Sequence, residues 1–534
     1  MKKPTLVPEG MEAPADIINN QANDLLAGLP NEIMERKDVT NNLQKIIEDQ
    51  AVYIDYDDET ERPTEITTVH NMNFVDLMTE RYQIVASPMH IKPMMYDPNE
   101  QYWKQLDTVN LGETLYWQML APTLKCFENS YLYTSNKAMK LFQSAAKEWS
   151  GYVRQKANPA LIDVTDPHYI QFNNGVYNFL TDELEAPTPE HNQTVKMKYD
   201  LIKTDEKTEA EEWLEFLVGD AVTSLMELIG YCFYRDYNYA AISFFVNGKG
   251  ITNGKNGKSQ VLNFINEVLS QNASSIPLNA FDGKDKFALA NLYTQLANLA
   301  GDAPDIYFDS MDALKSASGN DELTAEFKGK DKFQFKNYAK LFFATNFLPR
   351  VKDTSSAVRE RILLVPFIRD LGTEENMKTL REKFNQNRKK RVTPEELGKF
   401  AYRAIQAFHK VLERDEALRS KAFSLTQEQL DMLDGYMKDN DSIAQFFEDD
   451  DCQYIPTHKP DDRVNGKEFK KAYLEWCQEN NFKAYGKYFN NEMANKGFEY
   501  KQAKINGANQ RCFLGIKMKD FTAPKPANKE ELPF

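Results

Sequence analysis

Apolar and polar residues follow two different periods in the middle of the chain, and these periods predict alternating strands and helices. Apolar runs of strand length occupy 241–246, 296–302, 340–346 and 362–367. Residues 261–269 instead place apolar positions on one face of a helix. Strands that alternate with helices are typical of an α/β fold built around a parallel sheet.

Other patterns flank this central region. Residues 96–103 predict a strand, a turn and a strand, and Asn173-Asn174-Gly175 between apolar alternations predicts a hairpin. Helical periods cover 211–234, a charged pair of helices at 374–409, and 426–447. Residues 465–519 have the helix, helix, two-strand order of a small winged-helix domain. Because 534 residues are too many for one hydrophobic core, we expect several domains.

Composition and charge narrow the class of protein. With 42% hydrophobic and 27% charged residues the chain is globular, not disordered. No apolar run is long enough to span a bilayer, and no signal-peptide pattern follows the N-terminus, so we expect no membrane contact. Five dispersed cysteines favour a reducing cytoplasm. The net charge of −15 requires any nucleic-acid site to concentrate its basic residues in a pore or groove.

The most informative segment joins the first apolar run to the helical run that follows it. It is rich in glycine and ends in Gly-Lys-Ser, as phosphate-binding loops do. Glycine lets backbone N–H groups turn towards an anion, and the helix start adds partial positive charge. The residues expected to hold a nucleotide are Gly254, Lys255, Asn256, Gly257, Lys258 and Ser259. Lys258 would reach the β- and γ-phosphates of ATP and Ser259 would bind Mg²⁺, although Thr252 stands where the usual pattern has glycine.

Polar residues end or precede the later apolar runs. Asp302 follows one strand and could bind Mg²⁺ or orient the attacking water, with Asp305 as a second acid nearby. A turn-capping role is the alternative for Asp302. Asn346 ends the next strand, at the edge where α/β sheets bind ligands. The arginines of 359–361 precede the last strand, and they either face a neighbouring subunit's nucleotide or form a solvated turn.

The order of these motifs resembles superfamily 3 helicases of the AAA+ class, in particular the phage and plasmid primase–helicase family related to the poxvirus replicative NTPase. The segments that resemble this family lie at 173–179, 188–191, 256–259, 314–321, 344–349 and 361–367. The resemblance covers roughly 90–520. It implies that Lys258 and Ser259 bind phosphate and Mg²⁺. It also implies that Asp302 is the Walker B acid and Asn346 is sensor 1. Arg361 would be the arginine finger, with Arg359 as the substitute.

Residues 326–336 alternate lysine with other residues around Gly329, which predicts a β-hairpin with a basic tip. In superfamily 3 relatives the corresponding hairpin projects into the channel of a hexameric ring and follows the DNA backbone. Six copies of Lys328, Lys330 and Lys332 would therefore line a basic pore in an acidic ring, with Lys315 as a further channel residue. A solvated surface hairpin is the alternative.

Pattern and resemblance together predict six regions. They are an N-terminal leader or partner region at 1–80, a pre-helicase α+β domain at 81–215, an AAA+ P-loop core at 216–372, a helical extension at 373–437, a winged-helix-like domain at 438–520 and a flexible tail at 521–534. The predicted protein is an ATP-dependent replicative DNA helicase of a phage or mobile genetic element, a homo-hexamer on single-stranded or forked DNA in a bacterial cytoplasm. Two alternatives remain: an origin-binding initiator that uses the C-terminal domain, and a nucleotide-switched assembly scaffold without unwinding.

Two short segments complete the sequence-based interpretation. Residues 53–58 look like a metal-binding carboxylate pair, but too few residues precede them for a primase domain, so we predict a solvated acidic turn. The tip, Leu532-Pro533-Phe534 after acidic residues, resembles the C-terminal peptide of bacterial single-stranded DNA-binding proteins. It predicts capture by a replication protein of the host or element, with a frayed tail as the alternative.

Overall fold

The protein is described here from a computed structural model. The structure describes residues 52–56, 63–69, 84–85, 94–97, 100–105, 140, 166–251, 254–282, 285–303, 307–308, 310–328, 332–351, 355–383, 392–480, 482, 484–505 and 507–519. Within these ranges, no helix combines the length and the apolar character that crossing a membrane requires.

The strands are numbered in chain order. They are β1 Val52–Tyr56, β2 Pro63–Val69, β3 Ile84–Val85, β4 Met94–Asp97, β5 Tyr102–Gln105, β6 Tyr169–Phe172, β7 Gly175–Asn178, β8 Glu183–Glu185, β9 Ile242–Asn247, β10 Ala273–Ser274, β11 Ala297–Ala303, β12 Tyr307–Phe308, β13 Glu322–Glu326, β14 Lys332–Lys336, β15 Lys340–Thr345, β16 Arg350–Val351, β17 Ile362–Phe367, β18 Tyr454–Pro456, β19 Arg463–Asn465, β20 Tyr500–Ile505, β21 Ala508–Leu514 and β22 Ile516–Met518.

The described α-helices are numbered in the same way. They are α1 Glu209–Val218, α2 Val222–Cys232, α3 Lys258–Val268, α4 Lys286–Leu289, α5 Asp312–Ala317, α6 Ser356–Arg359, α7 Glu374–Lys383, α8 Pro394–Leu412, α9 Gln427–Asp439, α10 Ser442–Glu448, α11 Gly466–Glu479 and α12 Phe489–Asn495. Short 3₁₀ helices lie at Pro189–His191, Gly219–Ala221, Leu278–Asp282, Ala290–Leu292, Glu416–Ala422 and Gly486–Tyr488.

The centre of the molecule is a five-stranded parallel sheet in the order β10-β11-β15-β9-β17. This confirms the mixed α/β class and the four strands that the apolar runs predict. All six residues of β15 and of β17 are buried, as in strands covered on both faces. The carboxyl ends of these parallel strands share one edge, called the carboxyl edge below, and their starts share the amino edge. After β9 the chain crosses to the far edge of the sheet and returns strand by strand, and its last strand, β17, lies on the other side of β9. Open α/β sheets bind ligands at such a switch in strand order.

Helix α1 packs against β17, and α2 packs against both α1 and α8. Gly230 of α2 is needed there, because a Cβ at this position would lie 2.0 Å from the carbonyl oxygen of Ala404. Arg403 of α8 pairs with the buried Glu211 of α1 at 3.1 Å. The predicted single helix at 211–234 is wrong in one respect: α1 ends at a left-handed Gly219 (φ 58°), and α2 starts a new helix three residues later.

The region upstream of the core is a small antiparallel unit. Strands β6 and β7 form the hairpin that Asn173-Asn174-Gly175 predicts, and β8 extends it. The strand, turn, strand prediction at 96–103 is confirmed by β4 and β5. The buried Arg235 joins this unit to the core, since its guanidinium donates to the carbonyl oxygens of Tyr169 and Asp166, each at 3.1 Å.

The C-terminal residues form a second hydrophobic core, separate from that of the sheet. The predicted helix, helix, two-strand order is present as α11, α12, β20 and β21, and β19 completes a three-stranded sheet. The predicted helical stretch at 426–447 is two helices, because α9 ends at Asp439 and Asp441 caps α10. The predicted acidic turn at 53–58 is also corrected: its first four residues belong to β1, which pairs with β2. In sequence, Val52, Ile54 and Tyr56 form the alternating apolar pattern of a strand.

Candidate phosphate-binding site

The predicted phosphate-binding loop lies at the carboxyl edge of the sheet, between β9 and α3. Its start is fixed where the Gly248 amide donates to the Phe367 carbonyl oxygen at 2.9 Å. Gly257 precedes α3 in the left-handed region (φ 93°), and a Cβ there would press on Leu217 and Leu371 at 3.3–3.4 Å. Glycine is therefore required at this turn by both backbone conformation and packing. Thr252, where the loop departs from the usual pattern, lies outside the described residues.

Lys258, the first residue of α3, is buried in the site with 6% of its surface exposed. Its ammonium donates to the side-chain oxygen of Asn346 at 2.8 Å and to that of Asn247. The fully buried Asn256 donates its side-chain amide to the same oxygen of Asn247 at 2.7 Å. Among the described residues, Asn256 Oδ1 is a buried oxygen without a hydrogen-bond partner. Neither of these amide oxygens carries a charge, so neither neutralises the lysine.

Strand pairing places the other predicted residues of this edge. Ala303 of β11 lies opposite Thr345 of β15, so the Asp302 backbone is beside the strand end that carries Asn346. The Asp302 side chain and Asp305 lie outside the described residues. Ser259 is exposed at the second position of α3, and Gly254 lies so close to Asn346 that a Cβ would be 3.3 Å from its amide nitrogen. Lys255 is anchored through its carbonyl oxygen, which accepts from the Leu371 amide at 2.7 Å.

The two predicted arginines lie at the other edge of the sheet. Arg361 directly precedes β17, is 9% exposed, and donates to the carbonyl oxygen of Ala357 at 2.7 Å. Burial, followed by the nearby charge of Arg419, lowers the pKa of its guanidinium. Arg359 is more exposed and forms an ion pair with Asp434. Neither arginine is brought near Lys258, since a strand of six residues separates the edges by roughly 17–20 Å.

The predicted basic hairpin is present as the antiparallel pair β13 and β14. Its inner face carries Phe333 and Phe335, which pack on Tyr293 at centroid distances of 5.5 and 5.4 Å. On the outer face Lys332 stands opposite Glu326. Lys328 is exposed at the start of the tip, and Lys330 lies outside the described residues. Lys315 lies in the last turn of α5, away from the tip in sequence.

The C-terminal domain presents a second basic hairpin, formed by β20 and β21. Lys501, Lys504 and Arg511 are exposed on it. Of the other basic residues of this domain, Lys496 pairs with Asp441 and Lys487 is exposed beside Tyr488. Lys483 and the C-terminal tip, 520–534, lie outside the described residues.

Two residues that the structure makes prominent were missed by sequence reasoning. Asn247 ends its strand as Asn346 does, so the same pattern, an amide that ends an apolar run, could have identified it. Lys340 begins β15 yet is only 2% exposed. Its burial had no signal in the sequence, because a lysine before an apolar run is ordinarily a solvated end residue.

Two segments of the chain match models of protein families. Residues 123–219 match the family model described as D5 N terminal like, and residues 251–361 match a family of unknown function, DUF5906. The second match spans the phosphate-binding loop, Asp302, Asn346 and Arg361. The D5-type match relates the chain to phage replication proteins of the primase–helicase type. No curated protein sequence matches the chain.

Among solved structures, the chain is similar to two apo structures of the NrS-1 C terminal region. One is 14% identical with a TM-score of 0.42, and the other is 12% identical with a TM-score of 0.43. In each case 82% of this chain and 97% of the other are covered. At these TM-scores the similarity defines neither the fold nor the function.

Proposed function

We propose that the chain is an ATP-driven DNA helicase of a phage or mobile genetic element that works as a homo-hexameric ring. The observation that carries the proposal is the 2.8 Å hydrogen bond from Lys258 to Asn346, which joins two motifs 88 residues apart. A cation and an amide at the carboxyl edge, beside a helix start, form a suitable site for a triphosphate. The match to a D5-type model supports a role in phage DNA replication.

The residues at this edge fit Mg²⁺–ATP. Backbone amides of 254–257 and the start of α3 would hold the phosphates, and Lys258 would contact the β- and γ-phosphates. Ser259, exposed one residue later, and Asp302 would hold Mg²⁺. When bound, Mg²⁺ neutralises phosphate charge. Asn346 would hydrogen-bond the γ-phosphate or the attacking water, after Lys258 exchanges this partner for phosphate.

The position of the arginines supports a site shared between subunits. Arg359 and Arg361 lie at the amino edge, too far from Lys258 of the same chain to contact one nucleotide. An arginine finger from this segment would therefore act on a neighbouring subunit's ATP. Arg361 is the proposed finger, and Arg359 is the more exposed substitute.

The basic hairpin is the proposed DNA contact in the ring channel. Its aromatic inner face packs on Tyr293, and Lys328 is exposed beyond the end of β13. In a chain with a net charge of −15, cations at the tip would supply a local positive site for the phosphate backbone. Lys328 is exposed beyond the paired strand residues, and Lys330 is the further cation that the sequence places at the tip.

Strand displacement on a forked DNA substrate tests the proposal. The wild-type chain with Mg²⁺–ATP should release the displaced strand, and Lys258→Ala should bind the fork but release none. Nucleotide-dependent assembly without displacement would instead support the scaffold. A non-hydrolysable ATP analogue with electron microscopy would show whether six subunits close a ring.

A second candidate function, origin recognition, is favoured by the C-terminal domain. It has its own hydrophobic core, and its β20–β21 hairpin exposes Lys501, Lys504 and Arg511. Footprinting on the element's own origin separates the two functions. A protected sequence that disappears when these three residues are changed to alanine, while unwinding of unrelated forks persists, would establish an initiator that is also a helicase.

A further inference from the structure

The loop that holds Lys258 is closed at its base by one side chain outside the phosphate-binding motif. Asn247 is the last residue of β9, and its Oδ1 accepts from Lys258 Nζ and from Asn256 Nδ2 at 2.7 Å. Both donors are buried, Asn256 completely. A single amide oxygen therefore connects the end of the strand, the end of the loop and the start of α3.

The length of the loop explains why such a connection is needed. In the usual motif the first glycine stands six positions before the lysine and turns the chain directly out of its strand. Here Asn247 stands 11 positions before Lys258, and threonine replaces that glycine. A longer loop loses more entropy when its ends are brought together, so a bond across its base reduces the ordering left to the nucleotide.

We propose that Asn247 is a positioning residue for the triphosphate, which holds the Lys258 ammonium and the loop in a binding-competent arrangement. This inference rests on the proposed ATPase. The acceptor must be uncharged for this role, because a carboxylate in the same place would neutralise the lysine and repel the phosphates. Unlike a carboxylate, the amide oxygen accepts both bonds without neutralising Lys258.

The substitution Asn247→Asp separates positioning from simple structural support. Aspartate has the same shape and accepts from both donors, so the urea unfolding midpoint should stay near that of the wild type. The KM for Mg²⁺–ATP should rise at least about tenfold, since a unit charge now lies within a few ångströms of the phosphates. The kcat at saturation should change less, because the lost interaction is made in ground state and transition state alike.

The matched control is Asn465→Asp in the C-terminal domain. Asn465 Oδ1 also accepts from two donors, the amides of Lys467 and Glu468, and aspartate preserves both bonds. Its KM for Mg²⁺–ATP should equal that of the wild type. If Asn247→Asp unfolds, Asn247→Ala replaces it: this variant stays neutral, lacks the acceptor, and should raise KM several-fold.

Two results would overturn the inference. One is a wild-type KM in a folded Asn247→Asp protein, and the other is a wild-type KM in folded Asn247→Ala. Lys258→Ala, assayed in parallel, tests the proposed function independently. If Lys258→Ala hydrolyses ATP normally, the ATPase site itself is wrong. If Lys258→Ala is inactive while the Asn247 variants are normal, only the positioning role fails.

Discussion

The two ends of strand β15 each meet a buried lysine, and the lysines are held in different ways. At the carboxyl edge, Lys258 is bound by the side-chain oxygens of Asn247 and Asn346. At the amino edge, Lys340 donates to the backbone carbonyl oxygens of Tyr234 and Tyr338 at 2.7 and 2.6 Å. Its ammonium also lies 4.2 Å from the ring centroid of Tyr231.

The difference indicates which lysine is available to a ligand. The side-chain amide of Asn346 can rotate away when a phosphate oxygen replaces it, so this partner of Lys258 is exchangeable. Backbone carbonyls and a packed aromatic ring cannot move in this way, so the partners of Lys340 are permanent. Burial lowers the pKa of Lys340 to about 7, so much of its population is neutral at physiological pH. Lys258 is placed for binding, whereas Lys340 anchors its strand.

The largest expected effect comes from removing each lysine in turn. Lys258→Ala should abolish ATP hydrolysis, a loss of more than about 10³-fold, because the only buried cation among the described residues of the loop is lost. Lys340→Met, which keeps the length of the apolar stem, should leave the KM for Mg²⁺–ATP within about twofold of wild type. Steady-state hydrolysis by both folded variants checks the comparison. A large KM change in Lys340→Met would mean that the two ends of β15 are coupled.

The next largest effect concerns Arg361, which lies at the amino edge as Lys340 does. Arg361→Ala should bind ATP normally and lose hydrolysis by on the order of 10³-fold, because its finger would act across an interface. Mixed with Lys258→Ala, it should regain activity, since mixed rings contain some sites with an intact lysine and an intact finger. The same mixing with Arg359→Ala identifies which arginine acts. An absence of rescue at every ratio, with rings intact, would contradict a shared site.

The contrast between edges also separates what sequence could predict from what it could not. Strand ends were predictable, since apolar runs that end in Asn346 or Asp302 mark the carboxyl edge by local pattern alone. Contacts between segments distant in the chain were not, because no local period encodes them. The hydrogen bond from Lys258 to Asn247 and the burial of Lys340 depend on packing. The break between α1 and α2 was hidden because Gly219 lies inside a continuous helical pattern.

A smaller effect is expected on the hairpin, whose cations are exposed and act together. Changing Lys328 and Lys330 to alanine should remove DNA stimulation of ATPase activity, leave basal hydrolysis, and flatten the salt dependence of DNA binding. Lys332 and Lys336 are the matched pair, because each stands opposite a glutamate, Glu326 and Glu322 respectively. Their double change should have the weaker effect. Equal effects of both pairs would show that the facing glutamates do not offset the lysines.

The smallest expected effect is the contribution of Lys340 to the pH dependence of the free energy of unfolding. Its pKa is about 7 in the folded chain against 10.5 ordinarily, because burial disfavours the charged form. Between these values the unfolded chain binds the proton and the folded chain does not, so this group makes the unfolding free energy rise with pH. The gain should be up to about 2 kcal/mol from pH 7 to 8.5, at about 1.4 kcal/mol per unit. Thiols such as Cys232, whose pKa burial raises to about 12, oppose the trend at higher pH but are common to wild type and variant. Urea unfolding of the wild type and of Lys340→Met at both pH values isolates the contribution of the lysine. If the free energy of unfolding changed equally in the two proteins, the result would contradict a buried, neutral Lys340.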